Sequence, residues 1–117
     1  MDVVAELSRV LESRKSASAD SSYVASLYGA GLNKILEKVG EEATEVVLAS
    51  RDVAQGTPDA STPHDPEKLE SALVSEVADL WFHTMVMLTH QGIAPGKVLE
   101  QLAERFGVSG IEEKRSR

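Results

Sequence analysis

Apolar residues recur every three or four positions along most of this chain, a period that builds helices and not strands. Val3, Val4, Leu7, Val10 and Leu11 predict an amphipathic helix over residues 2–13, and the run from Arg14 to Asp20 interrupts it. Asp20, Ser21 and Ser22 offer N-cap side chains to a short helix through YVASLY, which Gly29-Ala30-Gly31 closes. Leu32, Ile35, Leu36, Val39, Ala43, Val46 and Val47 then carry one stripe along a long helix from Leu32 to about Asp52. Gly40 lies inside it at a cost of roughly 1 kcal/mol relative to Ala, so packing or close ligand approach is expected there. AQGTPDASTPHD, residues 54–65, has no period and reads as a long loop, either a functional lid or a plain insertion. Asp65 as N-cap and Pro66 in the first turn open a second long helix that runs to about His90. That helix is apolar on most sides, so it should be buried. Gly92 closes it, Pro95 opens a last helix with Val98, Leu99, Leu102 and Phe106 as its core stripe, and IEEKRSR reads as a frayed, solvated tail. With neither a strand pattern nor an internal repeat, the expected fold is an all-α bundle of four to five helices in a single domain, 1–117.

The 117 residues include 12 Lys and Arg against 19 Asp and Glu, a net charge of −7, with 42% apolar residues, enough for a core. Cysteine is absent, which excludes disulfides, thiolate metal sites and Cys nucleophiles and suits a reducing compartment. The longest apolar run is four residues, against roughly 20 needed to cross a bilayer, so a soluble cytoplasmic protein without a membrane partner is expected. The acidic balance argues against nucleic acid, because binding phosphate backbones needs a basic face. An anionic ligand would need local help, of which a divalent cation is the obvious form.

The carboxylates carry that possibility. At about 100° per residue, Glu42 flanks the apolar stripe of the first long helix, and Lys38, Glu45, Lys34 and Glu41 lie beside it. On its own this is an ordinary mixed-charge face. On the second long helix one narrow polar ribbon remains, with Glu76, Asp79, His83 and His90. Inside a bundle, an unpaired carboxylate there costs several kcal/mol. If Glu76 and Asp79 face Glu42 and Glu45, four negative charges converge. Each like-charge contact at about 4 Å then costs on the order of 4 kcal/mol at an effective dielectric near 20, so a cation sits between them or the groups protonate. Hard oxygen ligands select Mg²⁺, with Mn²⁺ as a substitute. His83 is read as a residue hydrogen-bonded within the bundle that orients Asp79 or packs near the site, with ligation as the alternative. His64 and His90 are assigned to solvent, and Tyr23, Trp81 and Phe82 to packing. Di-iron Glu-x-x-His pairs, a P-loop, HExxH, GxSxG and GxGxxG do not occur.

The pairing of Glu42-x-x-Glu45 with Glu76-x-x-Asp79 resembles the ExxE and ExxD signature of the all-α nucleoside triphosphate pyrophosphohydrolase superfamily. The wording SYVASLYGAGLNKILEKVGEEATEVVLAS and LVSEVADLWFHTMVMLTHQGI, above all KVGEEATE and SEVADLWFH, is similar to the phosphoribosyl-ATP pyrophosphatase family within it, from about Ser22 to Phe106. Val24 stands where that family more often has Thr, and the 54–65 loop is longer than usual. The resemblance implies Mg-dependent hydrolysis of 1-(5-phosphoribosyl)-ATP to 1-(5-phosphoribosyl)-AMP and pyrophosphate, the second step of histidine biosynthesis.

Carried over, Glu42, Glu45, Glu76 and Asp79 become the Mg²⁺ ligands, and Glu41 contacts an outer-sphere water. Glu45 is the expected proton acceptor, and Lys34 and Lys38 the expected phosphate contacts. Ser22 and Tyr23 are the lever toward this substrate over others. One chain is short of helices to enclose Glu76 and Asp79, and the superfamily builds its bundle from two subunits, so a homodimer or a higher assembly is expected. Two rival readings stand: a housecleaning hydrolase of NTPs or dUTP from the same superfamily, and a non-catalytic helical dimerisation module.

Overall fold

The computed structural model describes residues 2–56 and 65–107. Five α-helices follow one another: α1 (Val3–Ser13), α2 (Tyr23–Ala30), α3 (Leu32–Gln55), α4 (Pro66–His90) and α5 (Gly96–Arg105), with a short 3₁₀ turn, Arg14–Ser16, after α1. The all-α expectation holds, and no strand occurs among the described residues.

Local chemistry sets the helix starts. Asp2 accepts from the Ala5 backbone N–H at the head of α1, and Ser22 accepts from Ala25 N–H at the head of α2. At the head of α4, Asp65 accepts from the Glu67 and Lys68 N–H groups, with Pro66 as the first helical residue. Gly31 separates α2 from α3 at φ 97°, backbone that a side chain rarely tolerates, and this lets two helices meet with one residue between them.

The α3 and α4 helices form an antiparallel hairpin against which α2 and α1 pack. The core is small: Leu11, Val24, Leu27, Ile35 and Val86 are buried together, with Leu7, Tyr28, Phe82, Met85 and Met87 around them. Tyr28 pins α1 by donating from its hydroxyl to the Leu11 carbonyl at 2.9 Å, and its ring stacks on His90 with centroids 5.7 Å apart. The expectation that His90 is simply solvated is therefore corrected.

Two further expectations change. Within this chain α4 is buried only toward its C-terminal end, at His83, Val86 and Thr89, while Val74 and Trp81 are largely exposed. Its all-round apolarity is not matched by enough helices to cover it. The α5 stripe of Val98, Leu99, Leu102 and Phe106 is exposed for the same reason. Nothing lies within 4 Å of a Cβ built on Gly40, so neither packing nor close approach within the chain accounts for that glycine. His64 and most of the 54–65 loop lie outside the described residues.

Candidate functional site

The long hairpin brings distant acids together because both helices keep their phase over many turns. Glu42 on α3 and Glu76 and Asp79 on α4 each present a carboxylate oxygen, and these three atoms lie within 4.8 Å of one another. Glu42 and Glu76 are half-buried, the Glu42 side chain 13% exposed, and Asp79 is exposed. Glu45, one turn on from Glu42, is exposed and stands outside the closest trio, but its charge reaches Glu76. Partial burial, and then the charges of Glu45, Asp79 and Glu42, hold the Glu76 carboxyl above its ordinary range.

These groups fit a hard divalent cation: every donor is a carboxylate oxygen, and their mutual repulsion is the kind that such an ion relieves. The sign of the pH dependence follows. A carboxyl whose folded pKa lies above its unfolded value stabilises the fold fully below the unfolded pKa, and that contribution is lost as pH rises through the folded pKa. In metal-free protein at neutral pH, Glu76→Gln is therefore expected to raise the melting temperature and to flatten its fall from mildly acidic to neutral pH. Saturating Mg²⁺ should raise the wild-type melting temperature more than that of the variant. Scanning calorimetry with and without the ion checks this, and a lower metal-free melting temperature for Glu76→Gln would count against repulsion at this position.

The lysines divide. Lys38 donates to Glu41 at 3.3 Å and lies 3.8 Å from Glu42, so it borders the trio. The hydrogen bond to Glu41, then the proximity of Tyr23, hold its ammonium above the ordinary value. Lys34 instead pairs with Glu37 at 3.6 Å, an exposed contact on its own helix. Glu41 is exposed and engaged by Lys38. Ser22 spends its side chain on the α2 cap.

Sequence patterns did not reveal the link between Tyr23 and His83. The Tyr23 hydroxyl lies 2.8 Å from His83 Nε2, across 60 positions of sequence, and His83 Nδ1 lies 2.8 Å from the Asp79 carbonyl oxygen. His83 thus meets Asp79 through its backbone carbonyl and not its carboxylate. The Tyr23 ring also stacks on Phe82, with centroids 6.4 Å apart, so packing describes only part of its surroundings. A tyrosine at a helix start and a histidine on a polar ribbon carry no local signal that they meet.

Comparison with known proteins agrees with the geometry. The family model described as phosphoribosyl-ATP pyrophosphohydrolase matches residues 4–106. The phosphoribosyl-ATP pyrophosphatase of Hydrogenovibrio crunogenus is 48% identical over 116 residues, covering 99% of this chain and 93% of that protein. The phosphoribosyl-ATP pyrophosphatase of Methylococcus capsulatus is also 48% identical, over 117 residues, covering 100% of this chain and 97% of that protein. By the extent of these matches and by the acids it brings together, this chain belongs to the phosphoribosyl-ATP pyrophosphohydrolase family.

Proposed function

We propose that this enzyme hydrolyses 1-(5-phosphoribosyl)-ATP to 1-(5-phosphoribosyl)-AMP and pyrophosphate, the second step of histidine biosynthesis, and that it does so with Mg²⁺. The convergence of Glu42, Glu76 and Asp79 carries the reading, in a family whose relatives bear this activity in their names. Glu42, Glu76 and Asp79, joined by Glu45, are the residues that would hold the ion. When bound, Mg²⁺ offsets the negative crevice and the charge that develops on the leaving pyrophosphate.

The chain's own groups supply the rest. In this reading the Glu45 carboxylate, exposed and near enough for its charge to act on Glu76, takes the proton of the attacking water. Lys38 borders the crevice and offers its ammonium to a phosphate oxygen, while Glu41 holds that lysine and faces solvent. Lys34 reaches a phosphate only by leaving Glu37, which an exposed pair allows at little cost. Ser22 contributes by fixing the start of α2 and with it Tyr23.

Pyrophosphate release measured on phosphoribosyl-ATP, ATP and dUTP tests the assignment. Turnover of the first far above the other two, stopped by EDTA and restored by Mg²⁺, is expected. Faster turnover of dUTP or ATP would point to a housecleaning hydrolase. Unaltered turnover in EDTA would remove the metal.

A homodimer completes the bundle in this reading. Trp81 is 67% exposed on α4, and it lines an apolar groove of about 340 Å³ with Val4, Met85, Leu88, Val98 and Leu102. The radius of gyration is 17.8 Å, against about 13 Å for a compact domain of this length, so the folded chain leaves faces that a second copy can cover. None of the described helices is long and apolar enough to cross a membrane, which accords with a cytoplasmic biosynthetic enzyme.

A further inference from the structure

Glycine weakens a helix interior, and at Gly40 no described atom lies within 4 Å of a Cβ built there. Whatever uses that open backbone comes from outside the chain. Gly40 stands two residues before Glu42, about 200° around α3, so it faces away from the acids and from any phosphate bound to them. Leu36, Ala43 and Val47, all exposed, follow it at helical spacing in one strip. On α4, Val74, Ala78 and Trp81 form a second exposed strip.

The half-buried line along which the two helices meet runs through Val39, Glu42 and Val46 on α3 and through Leu69, Leu73, Glu76 and Leu80 on α4. Each exposed strip lies about a third of a turn beyond that line in the same rotational sense. Between antiparallel helices this brings both strips to one side of the hairpin. Neither strip holds a charged residue, in a chain whose net charge is −7, so two copies can meet there without like charges facing each other. Residues 57–64 and 108–117 carry only Val108 and Ile111 as branched apolar side chains, too little apolar surface to match this face.

The face is complementary to itself. In either direction the α3 strip reads large, small, small, large, with its midpoint between Gly40 and Ala43. A two-fold axis at that point stacks the strip antiparallel on its own copy, with Gly40 against Ala43 and Leu36 against Val47. Ile35 is level with Val86 and Glu42 with Asp79. The same axis therefore crosses α4 midway between Ala78 and Trp81, and the exposed indole meets the small Ala78 of the second copy.

We propose that a second copy of this chain docks on this face, antiparallel, about a two-fold axis beside Gly40, whose missing side chain lets the two α3 backbones approach closely. The inference rests on the homodimer reading and adds the register and axis that it leaves open.

Crosslinking tests the register, and the absence of native cysteine makes it clean. Leu36→Cys and Val47→Cys proteins, mixed and treated with a short bismaleimide, should yield a covalent dimer with one chain of each. Neither variant alone should do so, because like positions then lie about 16 Å apart along the helix axis. Gly40→Leu introduces a better helix former, so its circular dichroism should stay helical, yet its dimer dissociation constant should weaken at least ~10-fold. Crosslinking of either cysteine variant with itself, no crosslink in a mixture shown to exchange chains, or a Gly40→Leu dimer as tight as wild type would overturn the proposal. Sedimentation of the wild-type protein separates the two readings. A dimer without the mixed crosslink removes this register and leaves the homodimer standing, whereas a monomer removes both.

Discussion

Glu42→Gln is expected to lower turnover of phosphoribosyl-ATP by roughly three orders of magnitude, on the order of 4 kcal/mol of lost transition-state stabilisation, while leaving the circular dichroism spectrum unchanged. The amide keeps the shape of the side chain and removes its charge from a trio whose oxygens lie within 4.8 Å. It also relieves repulsion on Glu76, so the metal-free variant should melt no lower than wild type. Lys38 keeps its shorter bond to Glu41, so the lysine is not cast loose. Loss of activity without loss of stability is thus the signature of a ligand. Asp79→Asn should behave in the same way. Full activity of either variant at saturating Mg²⁺ would exclude these residues from the centre.

Trp81→Glu should turn a dimer into a monomer at concentrations where wild type sediments as two chains. The indole is the most exposed large apolar group on α4, and it opens onto the groove that α1 and α5 border. A carboxylate set into that surface is unpaired when a second chain covers it, a cost of several kcal/mol. The dissociation constant should therefore weaken at least ~100-fold, about 3 kcal/mol. Analytical ultracentrifugation across a concentration series reads this directly. A wild-type chain that is monomeric at micromolar concentration would leave the groove without its proposed occupant.

The sequence made the two long helices plain because their apolar period runs for many turns, and Asp65-Pro66 and Ser22 marked starts that the backbone follows closely. The meeting of Glu42 with Glu76 and Asp79 was legible too, as the condition under which four acids on two polar strips would need a cation. Three features were not. Apolarity around α4 and α5 was read as burial, but hydrophobic pattern alone does not say which chain supplies the cover. Lys34 and Lys38 share a face, yet Glu37 draws the first away while Glu41 keeps the second beside the crevice. The Tyr23–His83 bond depends on how α2 leans on the hairpin, which the angle at Gly31 sets and no spacing encodes.

All the candidate ligands lie on two helices that are consecutive in the chain, and this gives the connecting segment unusual latitude. Doubling the length of a connection costs only about 0.6 kcal/mol of closure entropy, and the phase of each helix is set by its own turns and by the contacts between them. Insertions between Gln55 and Pro66 can therefore accumulate while the crevice keeps its dimensions. One residue added beside Gly31 would instead change the one-residue junction, at φ 97°, that sets how α2 meets α3, and so carry Tyr23 away from His83. Length variation among descendants of such a protein should gather at the first junction and be purged at the second.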